Sequence, residues 1–194
     1  MNTNNDAVAL AITKLNSSLE KTSLKDLIRA RTRRSIMLVD VSSSMNDTIR
    51  SGGTKVNAMR TVARELRESH PVPIVAFGGR ICDIVDEIPN PAGGTPVHAA
   101  INFARTEGAT HAVLITDGIA DSEKYAFEAA DAFGGPIDCF YIGNGNDRGA
   151  SFCEELARRT GGTANLTDLG SPKQLAGKIT LLLGEGQKQL GGGR

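Results

Sequence analysis

From Ser35 onward, continuous apolar runs alternate with stretches of helical periodicity. Ile36-Met37-Leu38-Val39 runs straight into Asp40, and the apolar run that begins at His111 stops at Asp117-Gly118. A run with no polar alternation suits a strand that is buried on both faces. Between these runs, Val56, Met59, Val62, Ala63 and Leu66 share one helical face, and Val97, Ala100, Ile101 and Ala104 share another. The pattern predicts strands at 36–39, 73–77, 81–88, 111–116, 137–142 and 163–166. It predicts helices at 55–69, 96–107, 122–133, 151–160 and from 172 to about 183, with Ser171-Pro172 as cap and first turn of the last. Such alternation gives an α/β architecture, a mostly parallel sheet with helices on both faces. The glycines of Phe77-Gly78-Gly79-Arg80 predict a tight turn. Asp83, Asp86 and Glu87 in the strand after it mark an antiparallel edge, where charge discourages unwanted pairing.

Residues 1–33 differ in character and are expected to form a helical extension to a domain at 34–184, with 185–194 a flexible tail. Val8, Ile12, Leu15 and Leu19 make an amphipathic stripe, and Ser23 with Asp26 resembles a capping box for a second short helix. Residues 1–34 hold seven basic and three acidic side chains, while the whole chain balances 22 Lys and Arg against 22 Asp and Glu. No global field therefore draws the protein to nucleic acid or a membrane, and the run Arg29, Arg31, Arg33, Arg34 reads as a solvated face or linker. No apolar run approaches the ~20 residues of a membrane-spanning helix. Cys82, Cys139 and Cys153 lie outside any CxxC spacing and are expected as reduced, core or near-core thiols in a cytoplasmic protein. The only histidines are His70, His98 and His111, so no His/Cys zinc cluster can be assembled.

The chemistry-bearing residues sit where strands end, which is where ligands bind in open α/β sheets. In an extended or gently turning segment, Asp40, Ser42 and Ser44 place one carboxylate and two hydroxyls on one side. Asp117 adds a carboxylate after the fourth strand, and Thr95, after Gly93-Gly94, a third hydroxyl. Five oxygen ligands without nitrogen or sulfur suit a hard cation, Mg²⁺ first, with Mn²⁺ or Ca²⁺ as alternatives. Only two of the five carry charge, so a bound ion stays electron-poor. No general base accompanies it, which favours binding over catalysis. As a strand-end residue, Asp40 is expected outside the core.

Asp40-Val41-Ser42-Ser43-Ser44-Met45, Gly94-Thr95 and Thr116-Asp117-Gly118 together resemble the three motif segments of the von Willebrand factor type A domain and its metal-ion-dependent adhesion site. The resemblance covers about residues 34–184. It implies a Rossmann-like three-layer sandwich with a six-stranded sheet in the order 3-2-1-4-5-6 and one antiparallel edge strand. It also implies that Asp40, Ser42, Ser44, Thr95 and Asp117 hold the metal, some through water. The site would be completed by an Asp or Glu of a protein partner. Met45 after the last serine is similar to the intracellular and prokaryotic branches, often paired with chelatase-like or MoxR-like ATPases; an AAA+ ATPase partner follows by analogy alone.

Taken singly, each segment has an ordinary alternative: Asp40 as a cap, Ser42 and Ser44 as turn residues, Thr95 before Pro96 as an N-cap, Asp117-Gly118 as a turn. Independent caps need not reproduce three ordered segments. Two rival functions are a Mg²⁺-dependent phosphohydrolase and a scaffold whose metal site no longer works. The first usually needs a second acidic residue two positions after the first Asp, and here that residue is Ser42. Residues 143–149, rich in Gly and Asn, lack a dinucleotide-loop spacing and read as a loop bordering the binding face. Gly52-Gly53-Thr54-Lys55 lacks a P-loop frame. His98 reads as a surface or packing residue, and His70 before Pro71 as a helix terminus.

Overall fold

The computed structural model describes residues 34–49, 52–143, 147–167 and 171–188, with 184–188 by backbone alone. The chain divides into two units, Met1–Arg33 and Arg34–Arg194. The first lies outside the described residues, and the expected N-terminal stripes lie there with it. The second comprises β1 (Ser35–Asp40), a 3-10 turn (Ser43–Asn46), α1 (Lys55–Ser69), β2 (Ile74–Gly78), β3 (Ile81–Ile84) and α2 (Val97–Thr106). After these come β4 (His111–Thr116), α3 (Glu123–Phe133), β5 (Ile137–Ile142), α4 (Arg148–Thr160), β6 (Ala164–Thr167) and α5 (Pro172–Lys188). The six strands form one sheet, β3-β2-β1-β4-β5-β6, in which only the β2–β3 pairing is antiparallel. This is the Rossmann-like architecture and strand order expected.

Successive residues of a strand face opposite sides, and in β1 both sides are covered. Ile36 and Leu38 join a core with Val97, Ala100 and Ile101 of α2, Ala126 and Ala130 of α3, and Phe152 and Leu156 of α4. Met37 and Val39 face the other way, against Val56, Met59 and Val62 of α1 and Leu175 and Ile179 of α5. Hence the uninterrupted apolar run. Among the described residues no helix is long and apolar enough to cross a membrane. All three cysteines are free, Cys139 and Cys153 buried and Cys82 partly so.

Several boundaries differ from those expected. β3 stops at Ile84, and Ile88 turns inward to pack in the α1-side core rather than extending the strand. α4 begins at Arg148 because Asp147 caps it, accepting from Ala150 N–H at 3.0 Å, while Tyr141 donates its hydroxyl to Asp147 at 2.8 Å. Part of the expected loop at 143–149 is therefore a helix start. α5 continues past Leu183 to Lys188, into the segment expected to be tail.

Candidate metal centre

β1 and β4 are parallel neighbours, so Asp40 at the end of β1 and Asp117 just after β4 leave the sheet side by side. Past Asp40 the chain stays extended only as far as Ser42. Ser42 has φ −65° and ψ 166°, and Ser43–Asn46 then closes the 3-10 turn, pinned by the fully buried Met45. It is this turn that brings the Ser42 and Ser44 hydroxyl oxygens to 3.1 Å of each other. Ser44 then donates to Asp117 Oδ1 at 2.7 Å, tying the β1 loop to β4.

Asp40 is fully buried, contrary to what its strand-end position suggested. The loop after β1 and the segment before α2 close over it, bonded through Ser43 N–H to Gly93 O (3.0 Å) and Ala92 N–H to Val41 O (2.8 Å). One carboxylate oxygen accepts from Ser42 N–H at 2.7 Å and the other from the Thr116 hydroxyl at 2.6 Å. Burial pushes the Asp40 carboxyl up to about 6; the bonds from Thr116 and Ser42 oppose that rise without cancelling it.

The segments around Thr95 approach one another closely at glycines. A Cβ on Gly78 would lie 2.6 Å from the Val41 carbonyl, and one on Gly94 would lie 2.6 Å from the Asp121 carboxylate. That carboxylate accepts from Thr95 N–H at 2.8 Å, and Asp121 N–H donates to Thr95 O at 3.0 Å. Pro96 is the N-cap of α2, and no side-chain bond caps the helix, so the Thr95 hydroxyl is not spent as a cap. It sits 3.5 Å from where a Cβ on Gly118 would stand, beside the Asp117 turn. The structure thus joins Asp40, Ser42, Ser44 and Asp117 through hydrogen bonds and sets Thr95 against their edge.

Two contributors had no signal in the sequence. Asp121 fixes the Thr95 loop from α3's approach, a contact made only by folding. In the sequence Lys55 shows only as the first residue of a helix, two positions after a glycine pair. Its ammonium reaches Asp117 Oδ2 at 2.6 Å, Asp47 Oδ2 at 3.2 Å and Ser44 O at 3.4 Å. Burial pulls the Lys55 ammonium down, but its bonds and charge pairing with Asp117 and Asp47 leave it above its ordinary value. Thr116, inside a motif segment but given no role, holds Asp40.

Among the described residues no group of three or more His, Cys, Asp or Glu side chains could hold a metal ion. A cation here would depend on the hydroxyls, and the donor set of two carboxylates and three hydroxyls fits a hard ion. His98 takes no part in these bonds: its Nδ1 is buried without a partner and its ring lies 6.0 Å from that of Tyr125. A cavity of about 300 Å³ lined by Arg60, Arg64, Arg67, Glu87 and Ile88 includes none of the five residues.

A family model described as von Willebrand factor type A domain matches residues 34–81 and 79–166, spans that contain all three motif segments. The chain belongs to the von Willebrand factor type A domain family. Among solved structures, von Willebrand factor type A from Catenulispora acidiphila is similar to this von Willebrand factor A domain, with a TM-score of 0.63 and 18% identity. The match covers 78% of this chain and 42% of that one, so this chain spans less than half the length of that protein. The likeness is one of fold. A signal receiver domain from Vibrio parahaemolyticus aligns at a TM-score of 0.47 and 11% identity, covering 84% and 99% of the two chains, too distant to bear on function. No curated protein matches this von Willebrand factor A domain.

Proposed function

We propose that this von Willebrand factor A domain is a divalent-cation-dependent protein-binding module rather than an enzyme. The observation that supports this is the convergence of Asp40, Ser42, Ser44 and Asp117 in one hydrogen-bonded cluster with Thr95 at its edge. These five residues would hold the ion, Mg²⁺ first, with Mn²⁺ or Ca²⁺ as alternatives. The ion would supply a positively charged docking point for an Asp or Glu of a protein partner. The buried Asp40 orients the Ser42 turn through the backbone N–H it accepts, and Ser44 aligns Asp117. Two carboxylates only balance the charge of a dication and three neutral hydroxyls complete the set, so a partner's carboxylate can still be drawn to the ion, and in a partly desolvated position that attraction is screened less than in bulk water. Partner choice would rest with the segments 45–49, 52–54, 90–96 and 118–122, which border this edge.

Calorimetry on the full chain is expected to show one Mg²⁺ or Mn²⁺ bound by the wild type and none by Asp40→Asn. Undiminished binding by that variant would remove the assignment. A partner is expected to be held in Mg²⁺, released by EDTA, and weakened by Thr95→Ala. A partner held equally well in both buffers uses another surface.

A further inference from the structure

The Asp117 carboxylate is shared. Oδ1 accepts from Ser44, a proposed ligand of the cation, while Oδ2 accepts from Lys55. The side chain of Asp117 is 0% exposed and that of Lys55 only 17%. An ammonium has three N–H bonds, and Lys55 has three acceptors within reach: the carboxylates of Asp117 and Asp47 and the Ser44 carbonyl. Its position is built by the local chain. Thr54 caps α1 and accepts from Asn57 N–H, and Lys55, the first helical residue, donates its own N–H to Asp47 O at 3.0 Å. Gly52 and Gly53, both at positive φ (91° and 83°), fold the loop back so that Thr48 bridges Thr54.

Resting on the cation-site reading above, we infer that Lys55 is a tethered competitor of the divalent ion. It neutralises Asp117 in the metal-free protein and sets the affinity of the site low. Without Lys55 the cluster would offer two carboxylates to an incoming ion; with it, one of them is already compensated. A dication brought to Ser44 and Asp117 meets the ammonium's repulsion as well, in surroundings that screen it less than water does. Both effects have the same sign. Removing the Lys55 charge also leaves a buried carboxylate without its counter-ion, which raises the gain from binding the metal.

The test is Mn²⁺ and Mg²⁺ calorimetry on the full chain with Lys55→Met, Lys55→Gln and Lys55→Arg. Lys55→Met and Lys55→Gln are expected to tighten Kd by about tenfold or more, while Lys55→Arg, which keeps the charge, stays within about threefold of the wild type. In EDTA, Lys55→Met is expected to melt below the wild type, with the gap narrowing in Mg²⁺. If Lys55→Met does not fold, the polar Lys55→Gln decides the question. Equal or weaker metal binding by the neutral variants, with the wild type binding normally, overturns the competitor role and leaves the site standing. No divalent binding by any of the proteins overturns the site and the competitor together. Binding seen only in the neutral variants supports both.

Discussion

Asp40 is a carboxylate folded into a place that water does not reach, and its titration is the most direct report on the site. Its pKa rises on folding from an ordinary 3.8 to about 6. The native state therefore holds this proton more tightly than the unfolded chain does. The stabilising contribution is complete below about pH 4 and is lost as pH rises through about 6, a change of about 3 kcal/mol. Asp40→Asn cannot titrate. In EDTA, the stability of the wild type minus that of Asp40→Asn should fall between about pH 4 and pH 6.5, as measured by denaturant unfolding at fixed salt. A difference that stays flat over that interval would mean that Asp40 is not desolvated as the structure has it. Alanine is the poorer probe, because it leaves Ser42 N–H and the Thr116 hydroxyl without their acceptor, at about 1–3 kcal/mol each.

The strand ends opposite the metal loops carry a polar clamp. His111, wholly buried at the start of β4, has Nε2 2.8 Å from Asp138 Oδ2 on β5 and Nδ1 2.8 Å from the Ser35 hydroxyl on β1. Asp138 Oδ1 accepts from both the N–H and the hydroxyl of Thr163, just ahead of β6, at 2.8 Å each. Four neighbouring elements are thereby fixed in register by one network. Burial works to raise the Asp138 pKa, but the bonds from His111 and Thr163 outweigh it and hold the carboxyl below its ordinary range. A lowered carboxylate contributes stability above its unfolded pKa, and that contribution is lost as pH falls through the folded one. Asp138→Ala should cost about 3 kcal/mol at neutral pH, because it strands the His111 and Thr163 donors. The same variant should lose less stability than the wild type when acidified below about pH 4. Equilibrium unfolding at neutral and acid pH checks both statements. The sequence showed His111 only as the first residue of an apolar run; its partner lies on another strand and left no local trace.

In the assembled sheet, β1 has β2 on one side and β4 on the other, so the chain reverses its direction of travel between β1 and β4. Loops diverge at such a switch point and leave a crevice at the carboxyl ends of the strands. Asp40 and Asp117 stand on its two sides. A ligand that binds only the folded state stabilises the whole domain by mass action, by about 2.7 kcal/mol at a hundredfold excess over Kd. For a domain of this size that corresponds to a rise in Tm of about 5–10 °C on going from EDTA to saturating Mg²⁺. Thermal scanning of the wild type should show this rise, and Asp40→Asn should show none. An equal shift in both proteins would point to cation binding elsewhere.

The order of elements, the placement of Asp40, Ser42, Ser44 and Asp117 at or just past two strand ends, and that of Thr95 ahead of a helix were all legible in the residues. Burial on both faces forces continuous apolar runs, and the polar residue that ends each run marks the sheet edge. What proximity creates was not legible. The 3-10 turn that joins Ser42 to Ser44 and the burial of Asp40 under residues 92–95 depend on packing between segments far apart in sequence. So does the bond by which the Asp121 carboxylate holds the Thr95 backbone N–H. The ion pair of Lys55 with Asp117 spans 62 positions of chain. Periodicity and spacing report which way a side chain faces along its own element, whereas the partner it meets is set by how the elements pack.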